Sequence, residues 1–126
     1  MAYKLERERT KTTPYILIDE EKGYMRFEGE SYLEDVLEFF KEVDDWLERY
    51  LASDFTILTF DCAMEYFNSS TTKLLYNLLR AMDSHCTADK KVIVNWIVSE
   101  DDDILVECGE DFKEEMENLE FNLVIS

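Results

Sequence analysis

Apolar residues recur along this chain with two different periods, and the change of period marks the predicted elements. A spacing of two is typical of strands with one buried face, whereas a spacing of three or four is typical of amphipathic helices. Residues 24–28 show the first pattern, and a short apolar run at residues 15–18 precedes them across a polar turn that ends near Gly23. The two segments therefore predict an antiparallel β-hairpin close to the start of the chain.

A long amphipathic helix is predicted after the hairpin. Ser31, followed three residues later by Glu34, matches a capping box, in which the serine caps the helix and the glutamate reaches back to it. From there apolar residues recur at helical spacing as far as Leu51. The pattern predicts a helix of about five turns whose apolar face covers a sheet.

The rest of the chain continues the alternation of strands and helices. Strands are predicted at residues 55–62, 91–98 and 121–125, with helices at residues 70–84 and after the acidic run 100–103. Gly109 is expected to break or bend the last helix. The order β-β-α-β-α-β-α-β predicts one small α/β domain over residues 14–126, following a polar arm at residues 1–13. Its sheet is expected to be five-stranded and mostly parallel, with an N-terminal antiparallel hairpin and helices packed on it.

Composition and charge exclude several classes of function. Hydrophobic residues make up 46% of the 126 positions, enough for a packed core. The 13 basic and 30 acidic residues give a net charge of -17, which disfavours nucleic acid and anionic membranes as partners. The chain has no apolar run of about 18 residues and no signal-peptide core, so a cytoplasmic protein is expected. One histidine, His85, and three widely spaced cysteines, Cys62, Cys86 and Cys108, favour reduced thiols and argue against a zinc site. No metal and no cofactor are expected.

The most informative stretch is residues 65–73, between a predicted strand and a predicted helix. Four consecutive hydroxyl side chains, at residues 69–72, stand where the helix begins. Asn68 and Ser69 are both favourable N-cap types. A phosphoryl group there would meet unpaired N–H groups and the positive end of the helix dipole. The stretch therefore suits a reversible phosphate switch, although it also suits an ordinary capped helix, which local chemistry alone favours.

Catalytic patterns in the sequence are weak. Ser70 and Lys73 match the S-x-x-K spacing of penicillin-binding enzymes, but the S-D-N and K-T-G motifs of those enzymes are missing. His85 lies beyond the end of a helix, and residues 100–103 lack the spacing of a calcium loop. No glycine-rich phosphate loop is present. A binding or regulatory module is therefore expected, with a small serine hydrolase using Ser69 or Ser70 as the remote alternative.

Four motifs in this order resemble a known family over roughly residues 12–125. They are Thr13-Pro14, Gly29-Glu30-Ser31-Tyr32-x-Glu34, Tyr66-Phe67-Asn68-Ser69-Ser70-x-x-Lys73 and Gly109-Glu110-Asp111-Phe112. Together they are similar to motifs of the SiaC family of bacterial regulatory phosphoproteins. That family is related to the STAS-type anti-sigma factor antagonists in its fold and in its mode of regulation, which is partner switching.

The resemblance implies a phosphorylation site. Family members are phosphorylated on the hydroxyl directly after the signature asparagine, which corresponds by position to Ser69. The family usually has threonine there, so a kinase that prefers threonine could shift to Thr71 or Thr72. The surface around the switch is expected to bind partners and comprises Tyr66, Asn68, Ser70, Thr71 and Lys73. Lys73, one helical turn after Ser69, could pair with the phosphate.

The resemblance also implies a set of partners. A cognate serine/threonine kinase would modify the protein, and a metal-dependent serine/threonine phosphatase would reverse the modification. The unmodified form would bind the kinase or an output protein, in the best-known branch a diguanylate cyclase, in biofilm regulation through cyclic-di-GMP. The alternative within the same logic is a direct anti-sigma factor antagonist that binds an anti-sigma kinase.

Overall fold

The computed structural model describes residues 2–126, and Met1 of the predicted arm lies outside them. Over this part of the chain six strands and four α-helices are formed. The strands are β1 (Lys4–Arg7), β2 (Tyr15–Asp19), β3 (Tyr24–Ser31), β4 (Ile57–Phe67), β5 (Lys91–Val98) and β6 (Glu120–Ile125). The helices are α1 (Val36–Phe39), α2 (Lys41–Ala52), α3 (Ser69–Ser84) and α4 (Asp103–Glu115), with a short 3-10 helix, Glu20–Lys22, between β2 and β3.

The strands lie side by side in the order of the sequence. β1, β2 and β3 form two antiparallel pairs, whereas β3, β4, β5 and β6 form three parallel pairs. Helices connect the parallel strands, as such connections require. The predicted small α/β domain with an N-terminal hairpin is confirmed, but the sheet is mixed and has six strands rather than five.

The additional strand, β1, lies within the predicted polar arm at residues 1–13. Leu5 pairs with Ile18, and Arg7 pairs with Ile16. The Arg7 guanidinium donates to the carbonyl of Phe39 at 3.0 Å and forms an ion pair with Glu42. The polar composition of β1 does not indicate a strand, because pairing with β2 and contacts with α1 and α2 hold it in place.

The first helix begins later than predicted. Ser31 is the last residue of β3, and α1 is capped by Asp35, whose side chain accepts from the Glu38 N–H at 3.1 Å. The chain then turns at Phe40 and continues as a separate helix, α2. The predicted capping box at Ser31 and Glu34 is therefore wrong, because pairing of Ser31 with Phe67 of β4 extends the strand.

Gly109 does not break the last helix. It is buried inside α4, and a Cβ atom at this position would lie 2.4 Å from Cδ1 of Trp96. The Trp96 indole N–H donates to the carbonyl of Leu105 at 2.9 Å, on the same helix. Glycine is needed here because α4 packs directly on the tryptophan ring, and the expected break is wrong for that reason.

The helices pack on one face of the sheet. Alternate residues of the central strands are buried on this face, where Phe27, Phe60 and Trp96 contribute the largest rings. Phe27 and Phe60 meet edge to face with centroids 4.9 Å apart. Side chains from strands and helices form one continuous hydrophobic core. Burial of this apolar surface is the main force that holds the two layers together.

The other face of the sheet carries a half-buried polar network instead of a helix. Asp61, in the middle of β4, accepts from the Tyr24 hydroxyl at 2.7 Å and from the Asn95 amide at 2.8 Å. The guanidinium of Arg26 lies 3.5 Å from the same carboxylate. Such a network satisfies the polar groups of a sheet face that no second layer covers.

No helix among residues 2–126 has the length and apolar character needed to cross a membrane.

A buried carboxylate fastens the loop between α4 and β6. Asp83, on α3, is only 8% exposed, and its oxygens accept from the backbone N–H groups of Glu117, Asn118 and Leu119. The two shorter of these bonds measure 2.7 and 2.9 Å. The loop that leads into the edge strand therefore depends on one side chain from a neighbouring helix.

Replacing this carboxylate should destabilise the fold. We expect Asp83→Ala to lower the free energy of unfolding by about 3 kcal/mol, since three backbone N–H groups, one of them buried, lose a charged acceptor. Urea denaturation followed by circular dichroism measures the change. Asp89→Ala, at an exposed position in the neighbouring loop, is the matched control and should stay within about 0.5 kcal/mol of the wild type. Equal stability of the two variants would contradict this role.

Candidate functional site

The candidate site lies where β3 and β4 end and α3 begins. β4 extends through Phe67, five residues further than predicted, Asn68 is the N-cap, and Ser69 is the first residue of a 16-residue helix. The backbone N–H of Asn68 donates to the carbonyl of Ser31 at 3.3 Å. The site therefore stands at the carboxyl edge of the parallel strands, where α/β proteins commonly place their functional groups.

Asn68 connects three segments of the chain. Its Oδ1 accepts from the Thr71 N–H at 3.1 Å and from the Thr71 hydroxyl at 2.9 Å. Its Nδ2 donates to the carbonyl of Leu33 at 2.8 Å. Asparagine is required for this combination, because it offers an acceptor to the helix and a donor to the β3–α1 loop.

A buried hydroxyl pair completes the connection. The Thr71 and Ser31 hydroxyls lie 2.8 Å apart, and both residues are fully buried. Since the single hydrogen of the Thr71 hydroxyl points to Asn68, the Ser31 hydroxyl donates to Thr71. Ser31, Asn68 and Thr71 are called the Ser31–Asn68–Thr71 node below. The node fixes the start of α3 against the ends of both strands.

The structure separates the four candidate hydroxyls into two classes. Ser69 and Ser70 are exposed, whereas Thr71 is buried in the node. Thr72 is half-buried, and its hydroxyl donates to the carbonyl of Asn68 at 3.0 Å. Thr71 therefore does not belong to the exposed surface on which it was expected. A kinase would have to break the node to reach it.

The helix start around Ser69 favours an anion. Asn68 provides acceptors for the N–H groups of Thr71 and Thr72, so the N–H groups of Ser69 and Ser70 precede the first intrahelical bond. The first turn of α3 carries no acidic residue. Lys73 is exposed, and its i,i+4 spacing places it on the same helix face as Ser69. Its ammonium group pairs with no carboxylate among residues 2–126.

An exposed aromatic pair flanks this helix start. Tyr66 is 43% exposed, and its ring stacks on that of Tyr32 at a centroid distance of 4.7 Å. Sequence reasoning singled out Tyr66 but not Tyr32. The available signal was the position of Tyr32 directly after Ser31 in the second resemblance motif, which places it beside the node.

A groove of about 320 Å³ runs from Tyr66 along the first turns of α3 and α4. Thr72, Ile104 and Cys108 line it on the helix side. Ile104 is 80% exposed. An apolar surface that could contact another protein therefore adjoins the exposed hydroxyls.

The structure separates His85 from the serines. It follows the last residue of α3, and a 16-residue helix spans about 24 Å, so its ring is far from Ser69 and Ser70. Its Nδ1 lies 2.8 Å from the carbonyl of Ala81. The base that a serine hydrolase would need is therefore not supplied by this histidine.

The remaining candidate groups are the acidic run at residues 100–103 and the three cysteines. In the acidic run, Asp102 caps α4 by accepting from the Leu105 N–H at 3.1 Å. Residues 2–126 contain no cluster of three or more His, Cys, Asp or Glu side chains that could hold a metal ion.

The three cysteines are free thiols. Burial raises the pKa of Cys62 to about 12 and that of Cys108 to about 11, so both thiols are protonated at neutral pH.

A family model described as "SiaC family regulatory phosphoprotein" matches residues 7–126. An uncharacterized protein of Pseudomonas aeruginosa strain UCBPP-PA14 is 30% identical over 106 residues, which cover 84% of this chain and 84% of that protein.

Two solved structures are similar over nearly all of the fold. SiaC of Pseudomonas aeruginosa matches with a TM-score of 0.89 and 27% identity, covering 98% of this chain and 99% of that chain. A chain from the crystal structure of the diguanylate cyclase SiaD in complex with its activator SiaC, from the same bacterium, also matches. Its TM-score is 0.84 with 28% identity, covering 92% of this chain and 96% of that chain.

The node should contribute measurably to stability. We expect Asn68→Ala to lower the free energy of unfolding by about 2 kcal/mol, because it removes the helix cap and the bond to Leu33. Asn68→Asp should cost less, since it keeps the cap acceptor and loses only the donor. Urea denaturation measures both, with Ser70→Ala as an exposed control that should stay within about 0.5 kcal/mol of the wild type. An alanine variant as stable as this control would show that the node does not hold the helix start.

Proposed function

The chain belongs to the SiaC family of regulatory phosphoproteins, and we propose that it is a non-enzymatic switch controlled by reversible phosphorylation of Ser69. In its unmodified form it binds a cognate serine/threonine kinase or an output protein. The phosphorylated form releases the output protein, and a metal-dependent serine/threonine phosphatase restores binding.

One observation carries this proposal. Ser69 directly follows the capping asparagine and is exposed, whereas the buried Thr71 and the hydrogen-bonded Thr72 are engaged within the protein. A kinase can therefore reach the hydroxyl of Ser69 without disturbing the core. Ser70 is the other exposed hydroxyl, but only Ser69 occupies the position that the family signature assigns to the acceptor.

The helix start can hold the added charge. A phosphoryl group brings about -1.5 to -2 units of charge at neutral pH. The N–H groups of Ser69 and Ser70 and the dipole of α3 stabilise such an anion by about 0.3–1 kcal/mol. Lys73 is placed to add a charge-assisted bond from the next turn. The phosphorylated chain should therefore keep its fold.

The same charge is unfavourable inside a contact with another protein. The change is small beside a net charge of -17, so repulsion across the whole surface does not explain a switch. A phosphate buried in a dry interface without a cation costs on the order of 2–5 kcal/mol. This corresponds to a loss of roughly 30-fold to several thousand-fold in affinity.

The surface beside Ser69 is suited to such a contact. Tyr32 and Tyr66 present stacked rings on one side of the helix start, and Ile104 presents an aliphatic side chain across the groove. Exposed aromatic and aliphatic side chains next to a modifiable hydroxyl support a protein interface that phosphate would disrupt. SiaC of Pseudomonas aeruginosa is named as the activator of a diguanylate cyclase, and we propose an enzyme of that class as the output protein here.

Phosphorylation should be detectable at one residue. We expect protein purified from its own cells to carry one phosphate, mapped to Ser69 by mass spectrometry of peptides and removed by phosphatase. Ser69→Ala should abolish the modification, whereas Ser70→Ala should leave it in place. Phosphate mapped to Ser70, or a chain that is never phosphorylated, would contradict the assignment of the acceptor.

A charge at this position should weaken partner binding. We expect Ser69→Asp to reduce affinity for a diguanylate cyclase from the same cells by about 30-fold or more, while circular dichroism stays native. Isothermal titration calorimetry measures the affinity, and Ser69→Ala, which adds no charge, should bind like the wild type. If both the aspartate variant and the phosphorylated chain bind as tightly as the wild type, charge exclusion is not the mechanism.

A further inference from the structure

The two edges of the sheet differ in how they are protected. β1 forms one edge, with only four residues, of which Lys4, Glu6 and Arg7 are charged. β6 forms the other edge and has one charged residue, Glu120, followed by a run of uncharged residues. Short length and charge are ordinary protections against strand pairing, and β6 is the longer of the two edge strands and is charged only at its first residue.

The backbone of β6 leaves one row of hydrogen-bonding groups unused within the sheet. The Ser126 N–H donates to the carbonyl of Val98 on β5 at 3.0 Å. Because successive N–H groups of a strand point to opposite sides, those of Phe121, Leu123 and Ile125 point away from β5. These three residues therefore present donors and acceptors at the outer edge of the sheet.

The side chains at the end of β6 are exposed in the same region. Val124 is 37% and Ile125 48% exposed. Phe121, Leu123 and Ile125 lie on the face that the helices cover, because they pair with Val94, Trp96 and Val98 of β5. Asn122 and Val124 lie on the open face. A strand added to this edge must therefore be apolar at alternate positions on the helix side.

We propose that β6 is an interface at which a second copy of this chain adds its own β6 in antiparallel orientation. A two-fold axis through Leu123 places Leu123 opposite its counterpart and Phe121 opposite Ile125 of the second copy. All the outward-pointing residues then pair with one another, which forms about six backbone hydrogen bonds. The covered faces of both sheets stay on the same side, as the two-fold symmetry requires.

Local charge permits this pairing. Glu120 lies 3.5 Å from Lys91, which compensates its charge. In the proposed register Glu120 faces Ser126 of the second copy, and the two Glu120 residues are about 20 Å apart. That separation exceeds the Debye length of about 8 Å at physiological ionic strength. The apolar pairing of Phe121 with Ile125 also covers the exposed side chain at the end of the strand.

The overall charge opposes association and sets its salt dependence. Each copy carries a net charge of -17, and α4, which packs beside β6, bears exposed Glu107, Glu110 and Glu114. Two copies therefore repel one another at low ionic strength. Added salt screens this repulsion but leaves apolar contacts and backbone bonds in place. The dimer should consequently form more strongly as the sodium chloride concentration rises.

Sedimentation equilibrium of the full chain tests the proposal. We expect a reversible monomer–dimer equilibrium whose dissociation constant falls as salt is added. Val124→Asp should raise this constant about tenfold or more, which corresponds to at least about 1.4 kcal/mol. Leu37→Asp makes the same change of charge at a 75% exposed position on α1 and should leave the equilibrium as in the wild type. A chain that stays monomeric up to about 1 mM, or equal effects of the two variants, would overturn the proposal.

Amide hydrogen exchange tests the pairing itself. Exchange at Phe121, Leu123 and Ile125 should slow as the chain concentration rises, whereas the amides of Asn122 and Val124, already bonded to β5, should not change. Ile125→Pro removes one outward N–H and should prevent association, while Ile125→Ala keeps that N–H and should retain it at least in part. Dimers without protection of the outward amides would place the interface elsewhere.

Discussion

The position of Ser69 depends on the Ser31–Asn68–Thr71 node. Thr71 and Ser31 are fully buried, and every polar atom of the node has a partner. A buried network of this kind is favourable only when all its members are satisfied, which makes the local geometry unique. Because the node holds the third residue of α3 inward, the first residue must point outward. The exposure of Ser69 is therefore a consequence of the buried Thr71 hydroxyl two positions further along α3.

The one-sided arrangement of the helices explains why the functional groups gather at one edge. The strands follow sequence order, and each parallel connection returns over the same face. The carboxyl ends of β3 and β4 and the starts of α3 and α4 consequently meet, so Tyr32, Tyr66, Ser69 and Ile104 come from three separate segments. The opposite face is left to the Asp61 network, which satisfies its own polar groups. The architecture thus determines both the exposed site and the uncovered edge at β6.

Local patterns predicted the features that depend on local chemistry. The hairpin and β5 follow from short apolar segments, most of α3 follows from helical periodicity, and Asn68 follows from its preference for the N-cap position. Patterns failed where contacts distant in sequence decide the outcome. Ser31 is a favourable N-cap residue, but it pairs with Phe67 of β4 and is therefore the last residue of β3. Gly109 has the chemistry of a helix breaker, but the Trp96 ring requires a residue without a side chain.

The division between buried and exposed hydroxyls also bears on how a phosphate could act. Phosphorylation of Thr71 would place a dianion in the core and unfold the helix start, so it would destroy the protein rather than switch it. Phosphorylation of Ser69 would add the same charge where N–H groups, the helix dipole and Lys73 can stabilise it. The two forms of the chain would then share one fold and differ only in the free energy of burying the surface around Ser69 in an interface with a partner. A switch of this kind needs no conformational change within the domain, because the free energy that separates the two states arises in the interface with the partner.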